Sequence, residues 1–278
     1  MNRHLTRAVA LGLLTIAATS ASAQDGNWSG GYLGLYAGAL SDNDKSETIE
    51  FDTNLDGSYG DTVRTPGGTN IFASGFCDGE ATGTTTAAGC DGSGSGSDYG
   101  FRGGFDWQSG DMVFGFVAEY GYSDTSDAVS AFATAPTLAS YIMKREVDGV
   151  LALRARVGIA FGGSNDNLLY ATGGYAMANV NNSFHTSNQG NTYTGTGNSN
   201  ANGPQLGLGF EHRFGSNFTF GLEYLATRLD DDRGEIRVQG PVPATNPFIQ
   251  ANPAGTDLRR SSSDIDLDAL RLTMSYRF

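Results

Sequence analysis

Lysine is nearly absent from this chain: Lys45 and Lys144 are the only two, and 17 basic residues stand against 30 acidic ones for a net charge of −13. A protein that binds a nucleic-acid backbone needs clustered basic side chains, so this balance excludes that class of partner. Proline is scarce, at seven residues, and there are two cysteines, Cys77 and Cys90, enough for a single disulfide in an exported chain. Long apolar runs are missing as well. Beyond the first two dozen residues no stretch stays apolar for the ~20 positions a membrane-spanning helix requires. That excludes a helical membrane protein but leaves a β-barrel open, because barrel strands alternate and give weak hydropathy signals. Glycine is the residue in excess: 40 of 278, about twice the usual ~7 %.

The N-terminus carries Arg3 and Arg7, an apolar run from Ala8 to Ala18, and Ala21-Ser22-Ala23 before Gln24. Charge, apolar core and small-residue cleavage site come in the order of a secretory signal peptide, predicted over 1–23. Removing Arg3 and Arg7 from the 17 basic residues leaves 15 against 30 acidic ones in the mature chain, 24–278.

Alternation with a period of two recurs in eight segments: about Tyr32–Leu40, Tyr99–Trp107, Met112–Tyr122, Val150–Phe161, Leu168–Val180, Gln205–Phe214, Phe218–Arg228 and Leu267–Phe278. Each is close to the ~9–11 residues that cross a bilayer as a tilted strand. The closing "LDALRLTMSYRF" shows the pattern plainly. Leu270, Leu272, Met274, Tyr276 and Phe278 share one face, and Arg271, Thr273, Ser275 and Arg277 the other. "QSGD", "GGSNDN" and "GSN" are tight turns rich in Gly, Asn, Asp and Ser. The other connections, 41–98, 123–149, 181–204 and 229–266, are long. Short and long links alternate strictly, which is the layout of an outer-membrane barrel with periplasmic turns and extracellular loops. A sandwich has no reason to place every long loop at one end. The fold class expected is therefore all-β, an eight-stranded antiparallel up-and-down transmembrane barrel with both mature termini periplasmic. The long links are polar and acidic, and they are expected to be solvated, to contribute few apolar contacts and to be dispensable for folding.

Parity assigns a side to each strand charge. Arg102, Asp106, Glu119, Arg154, Arg156, Glu211, Arg213, Glu223, Arg271 and Arg277 fall on the lumen side. An Arg on the lipid face near the midplane costs about 2–4 kcal/mol, which gives the partition an energetic cause. Eight strands leave an interior just wide enough to be filled by side chains, so these groups are expected to pair across it and plug it. The fifth segment is ambiguous, because Tyr170 and Tyr175 lie on opposite parities.

"GGYLGLYAG", "VFGFVAEYGYSD", "LRARVGIAF…LLYATGGYAMANV", "GPQLGLGFEHRF…FTFGLEYLATRLD" and "LRLTMSYRF" resemble the small outer-membrane β-barrel surface proteins of alphaproteobacteria. These are OmpA-like barrels often labelled porin-family or outer-membrane immunogenic proteins. The resemblance covers nearly all the strands and little of the loops. It implies an outer-membrane surface protein with roles in envelope integrity or surface contact, no enzyme activity and no cofactor. It implies as partners the outer-membrane lipid and lipopolysaccharide, with the barrel-assembly machinery reading the aromatic end formed by Leu270, Leu272, Met274, Tyr276 and Phe278. A surface ligand held by the loops is a further expectation. The alternative is a narrow passive channel.

Two stretches suggest sharper chemistry. "DTNLDGS" places Asp52, Asn54 and Asp56 at the spacing of half an EF-hand calcium loop, but Val63 stands where its closing Glu belongs. "FHTSNQG" resembles the His-x-Ser-Asn stretch of outer-membrane lipid A deacylases, with His185 and Ser187 as base and nucleophile. Esterase chemistry there requires a carboxylate to orient the His, and none occurs between His185 and Glu211.

Overall fold

The computed structural model describes residues 27–42, 47–92, 94–195 and 197–278; the expected signal peptide, 1–23, lies outside them. Eight long strands form a ring: β1 (Gly30–Asp42), β2 (Ser95–Ser109), β3 (Met112–Ser123), β4 (Ala139–Phe161), β5 (Asn167–Thr186), β6 (Ser199–Phe214), β7 (Phe218–Asp230) and β8 (Asp264–Arg277). Each pairs antiparallel with the next. β1 pairs with β8, from Tyr32 opposite Arg277 to Asp42 opposite Leu267, and so closes the barrel. Closure leaves the ring no free edge, the condition for a sheet in hydrocarbon. Tight turns at one end place glycine where φ is positive, as at Gly110 (61°) and Gly215 (63°).

The outer wall is apolar because alternate residues of every strand are. Leu33, Leu35, Phe101, Leu153, Leu169, Leu206, Leu208 and Leu272 are exposed on it, and all five residues of the β8 aromatic face point outward. Trp107, Phe161, Phe214, Phe218 and Tyr276 lie toward the short-turn end, and Tyr99, Tyr120, Tyr122, Tyr175 and Tyr224 toward the other. These are two aromatic girdles with an aliphatic band between them. Inward glycines make room for lumen tyrosines: a Cβ at Gly104 would lie 2.5 Å from the Tyr32 hydroxyl, and one at Gly121 would overlap the Tyr36 hydroxyl.

The long connections depart from the expectation of solvated, separable loops. β4 runs 23 residues and β5 20, well past the ~9–11 that span a bilayer, so β4 takes in the last part and β5 the first part of what the sequence suggested were loops 123–149 and 181–204. The segment Ser126–Ala133 folds back on β4, and Phe76–Asp78 adds to its far edge. Four short strands form a second sheet in the order Thr192–Gly195, Glu235–Gln239, Thr256–Arg260, Ile49–Asp52. Between these sheets lies a separate apolar core. Ile49, Phe51, Val63, Ile71 and Phe72 enter from the first connection and meet Val129, Tyr141, Met143, Ile236, Val238, Phe248 and Leu258. Phe72 stacks on Phe51 at 4.6 Å and meets Tyr141 edge-on at 5.3 Å. Burying each such side chain is worth about 1.5–3 kcal/mol, so the connections are a folded cap. The cysteines form the expected disulfide, Cys77–Cys90, on its flank.

A bulge joins cap to barrel. Ala178 of β5 opposes Val150, whereas Val180 opposes Val147, so Asp148 and Gly149 together face Asn179. The extra residue reverses the side on which successive residues fall. Below the bulge Ala152 and Arg154 are buried; above it the buried set becomes Val147, Arg145, Met143 and Tyr141.

Candidate functional site

All ten charged residues placed on the lumen parity are buried, and the interior brings them together. At its centre Arg102 stands 3.6 Å from Glu119, 3.7 Å from Glu211 and 3.9 Å from Glu223. Arg154 donates through Nη2 to Glu119 at 2.7 Å and Glu223 at 3.2 Å, linking β4 to β3 and β7. Arg271 reaches from β8 to Glu119 Oε2 at 2.9 Å. Arg156 donates to Asp106 and, at 2.8 Å, to Glu211. Asp106 also accepts from Arg277 at 2.6 Å. Arg154, Arg156, Arg271 and Arg277 thus gain the charge-assisted bonds that offset desolvation of a buried charge, whereas Arg102 meets its three carboxylates at ion-pair distance without a hydrogen bond.

Aromatic and amide groups complete the network. The Arg156 guanidinium lies 4.7 Å from the Tyr32 ring and 5.1 Å from that of Tyr170. This settles the ambiguous fifth strand: Tyr170 points inward, donating to Glu223 at 3.0 Å, and Tyr175 outward. Gln205 accepts from Arg154 and donates to Thr227 at 2.7 Å. Asp98, which accepts from Arg271 Nε, is a further lumen acid that the sequence reading missed. Its parity was correct, but it lies one residue before the segment as read from Tyr99.

Apolar layers flank the charges. Toward the short turns Trp28 is fully buried with Val113, Ala160, Leu168 and Tyr170. Its main-chain N–H donates to Gln108 Oε1 at 2.7 Å and its indole Nε1 to the Asn165 carbonyl at 2.8 Å. Arg213 stands over the ring at 4.6 Å and Arg277 at 5.1 Å. Trp28 lies outside every alternating segment, and no local signal marks it as a lumen residue. Toward the cap, Leu40, Val147, Ala176, Val180, Leu225, Leu229, Ile265 and Leu267 form the second layer.

Above that layer sits a second buried ion cluster, also unanticipated. Arg145 donates to Asp127 at 2.9 Å, to Glu47 at 3.0 Å and to the Asp264 carbonyl at 2.6 Å. Arg260 pairs with Glu47 at 2.6 Å and with Asp127, and donates to the Met143 carbonyl at 2.9 Å. Burial, helped by neighbouring Arg145, pulls the Arg260 pKa below its ordinary value. Burial pushes Asp231 and Asp78 up, the latter with help from Asp127.

The stretches with sharper chemistry are committed elsewhere. Asp52 accepts main-chain N–H groups from Leu55 at 2.7 Å and Gly57 at 2.7 Å, so its carboxylate builds a turn. Ser187 Oγ accepts the Ser140 N–H at 3.0 Å and His185 is exposed. Among the described residues no hydrogen bond or ion pair joins His185 to Ser187 or to a carboxylate.

A closed eight-strand ring with an apolar outer band, two aromatic girdles and its charges turned inward defines a transmembrane β-barrel of the outer membrane. The chain belongs to the outer membrane protein beta-barrel domain family, which it matches over residues 9–278. It is similar to the 31 kDa outer-membrane immunogenic proteins of Brucella melitensis biotype 1 and Brucella suis biovar 1. Each is 23 % identical over 263 residues, covering 94 % of this chain and 88 % of the relative. Among solved structures it is similar to the outer membrane protein OprG from Pseudomonas aeruginosa, at 14 % identity and a TM-score of 0.42, over 91 % of this chain and 99 % of that one. The family resemblance carried by the strand motifs is confirmed.

Proposed function

We propose that this protein is a structural, surface-presenting barrel whose lumen is closed to ions and whose folded cap faces the medium. The observation that carries this reading is the buried ion network joining β2, β3, β4, β6, β7 and β8 across the interior, with an apolar layer on each side. A sustained ion path would have to break buried pairs whose single removal costs about 3–5 kcal/mol. The short turns and both mature termini face the periplasm after removal of residues 1–23, and the cap faces outward. The outer wall is solvated by outer-membrane lipid and lipopolysaccharide, the aromatic face of β8 is read by the barrel-assembly machinery, and the contribution is to envelope integrity and surface contact without catalysis.

Planar-bilayer recording tests this. Purified wild-type protein is expected to show no sustained single-channel current. A reproducible wild-type conductance whose ion preference shifts in Arg156→Ala would select the narrow passive channel instead, and release of acyl chains from lipid A would select the esterase.

A further inference from the structure

At the distal tip of the cap lies a cavity of about 260 Å³, where the turn around Pro136, the segment Ser187–Asn191 and the turn Asn246–Phe248 meet. The chain carries 47 ionisable Lys, Arg, Asp and Glu residues (17 basic, 30 acidic), yet no charged side chain lines this cavity. A charged ligand would enter without a counter-ion, so the site selects for neutrality.

Most of its polar side chains are amides, and Asn188, Asn191 and Asn246 are tied to one another by hydrogen bonds. Asn188 Nδ2 donates to the Tyr141 hydroxyl at 2.8 Å and to Asn191 Oδ1 at 3.0 Å, and its Oδ1 accepts the Gly190 N–H at 2.9 Å. Asn246 Nδ2 donates to Asn191 Oδ1 at 3.2 Å, and its Oδ1 accepts the Phe248 N–H at 3.0 Å. The network is anchored below on Tyr141 and Phe248, which belong to the cap core and lie 5.6 Å apart. Its hydrogen-bonding capacity is not used up. Each primary amide has two N–H donors and two acceptor lone pairs. Asn191 Nδ2 reaches its partners only at 3.4 Å and Gln189 Nε2 only at 3.5 Å, beyond the 2.7–3.2 Å of a good N–H···O bond. Pro136 and Pro247 supply apolar wall beside them.

We propose that this cavity binds a neutral sugar residue of a glycan. Hydroxyls that donate and accept match amides that do both, and the exposed ring of Pro136 takes the C–H face of the sugar. The site rests on the cap alone and would stand whether or not the lumen conducts.

The test uses the full chain in detergent micelles on an array of neutral oligosaccharides, with sialylated and sulfated glycans and short peptides as controls. Arms bearing bacterial O-polysaccharide units and arms bearing animal-type neutral glycans distinguish the two sources of this chemistry. Wild type is expected to bind neutral sugars on at least one of these arms. Gln189→Ala removes one amide and is expected to weaken the retained glycan about tenfold. Thr137→Trp, at the exposed rim and outside the amide network, is expected to abolish binding while heat-modifiability stays that of wild type. Failure of wild type to retain any neutral glycan, stronger retention of charged glycans or peptides, or undiminished binding by folded Thr137→Trp would each overturn the proposal.

Discussion

Arg277 donates through Nη2 to the main-chain carbonyl of Trp28, and its guanidinium lies 5.1 Å from the centre of the indole ring. The same arginine pairs with Asp106 at 2.6 Å, so one side chain fastens the segment before β1 to the charged interior. Trp28→Ala removes this floor. Replacing a buried Trp costs about 3–5 kcal/mol, and we expect a lower unfolding midpoint in urea together with brief current steps in planar bilayers. Wild-type stability and silence in the variant would show that Trp28 closes nothing.

Glu119 serves Arg102, Arg154 and Arg271 at once. Glu119→Ala leaves three guanidinium groups short of a counter-charge and should destabilise the barrel by about 3–5 kcal/mol. Adding Arg154→Met to Glu119→Leu removes one pair together and should cost less than the two single changes summed. A double-mutant cycle on urea-unfolding midpoints in micelles reads the difference. Additive costs would mean that water screens the pair.

The cap should respond to loop surgery as a unit. Replacing 42–96 by a short Gly-Asn turn deletes Glu47 and the five apolar residues that the first connection gives the cap core. We expect the barrel to insert and remain heat-modifiable, and trypsin to cut the remaining cap at Arg233, Arg237 and Arg259 faster than it cuts wild type. A variant as resistant as wild type would show that the cap core holds without this segment.

Asp231 sits in the loop after β7, accepts from the Ser199 hydroxyl at 2.6 Å, and has its pKa pushed above the ordinary 3.8 by burial. The folded chain thus holds that proton more tightly than the unfolded one. Its stabilising contribution is complete below the unfolded value and is lost as pH rises through the folded value. Asp231→Asn keeps an acceptor for Ser199 and removes the titration. Its stability relative to wild type should therefore rise from acid to neutral pH. A difference that stays flat or falls across that range would contradict this.

Leu270, Leu272, Met274 and Tyr276 of β8 and Phe278 just after it face the bilayer, and Phe278 N–H bonds to the Gly31 carbonyl at 3.1 Å at the closing seam. Phe278→Ser and Tyr276→Ser are expected to lower the amount of protein in the outer membrane, with unfolded chain lost to periplasmic proteases. Fractionation and immunoblotting measure it. Wild-type levels in the Phe278→Ser variant would remove the assembly role.

The barrel and most of its charged interior were legible in the sequence because both are written in a local period. A bilayer requires every second residue of a crossing strand to be apolar, so Leu270 and Arg271 reveal their sides without any knowledge of their neighbours. The alternation of short and long links is local in the same sense. What local period cannot report is pairing between segments far apart in the chain. Ile49, Ile236 and Leu258 each belong to a strand of four or five residues, too brief to show a pattern amid acidic neighbours. Their common core exists only once three long connections meet. Arg145 turns inward because two residues, Asp148 and Gly149, oppose one across β5, a displacement visible only in the register. Trp28 enters the lumen because Gln108, Asn165 and Arg277, from three different parts of the chain, converge on it. The sequence by itself determined a ring with an apolar outside and a charged inside; only the tertiary structure decided that its loops fold into a cap and that an apolar cluster lies on each side of its charged interior.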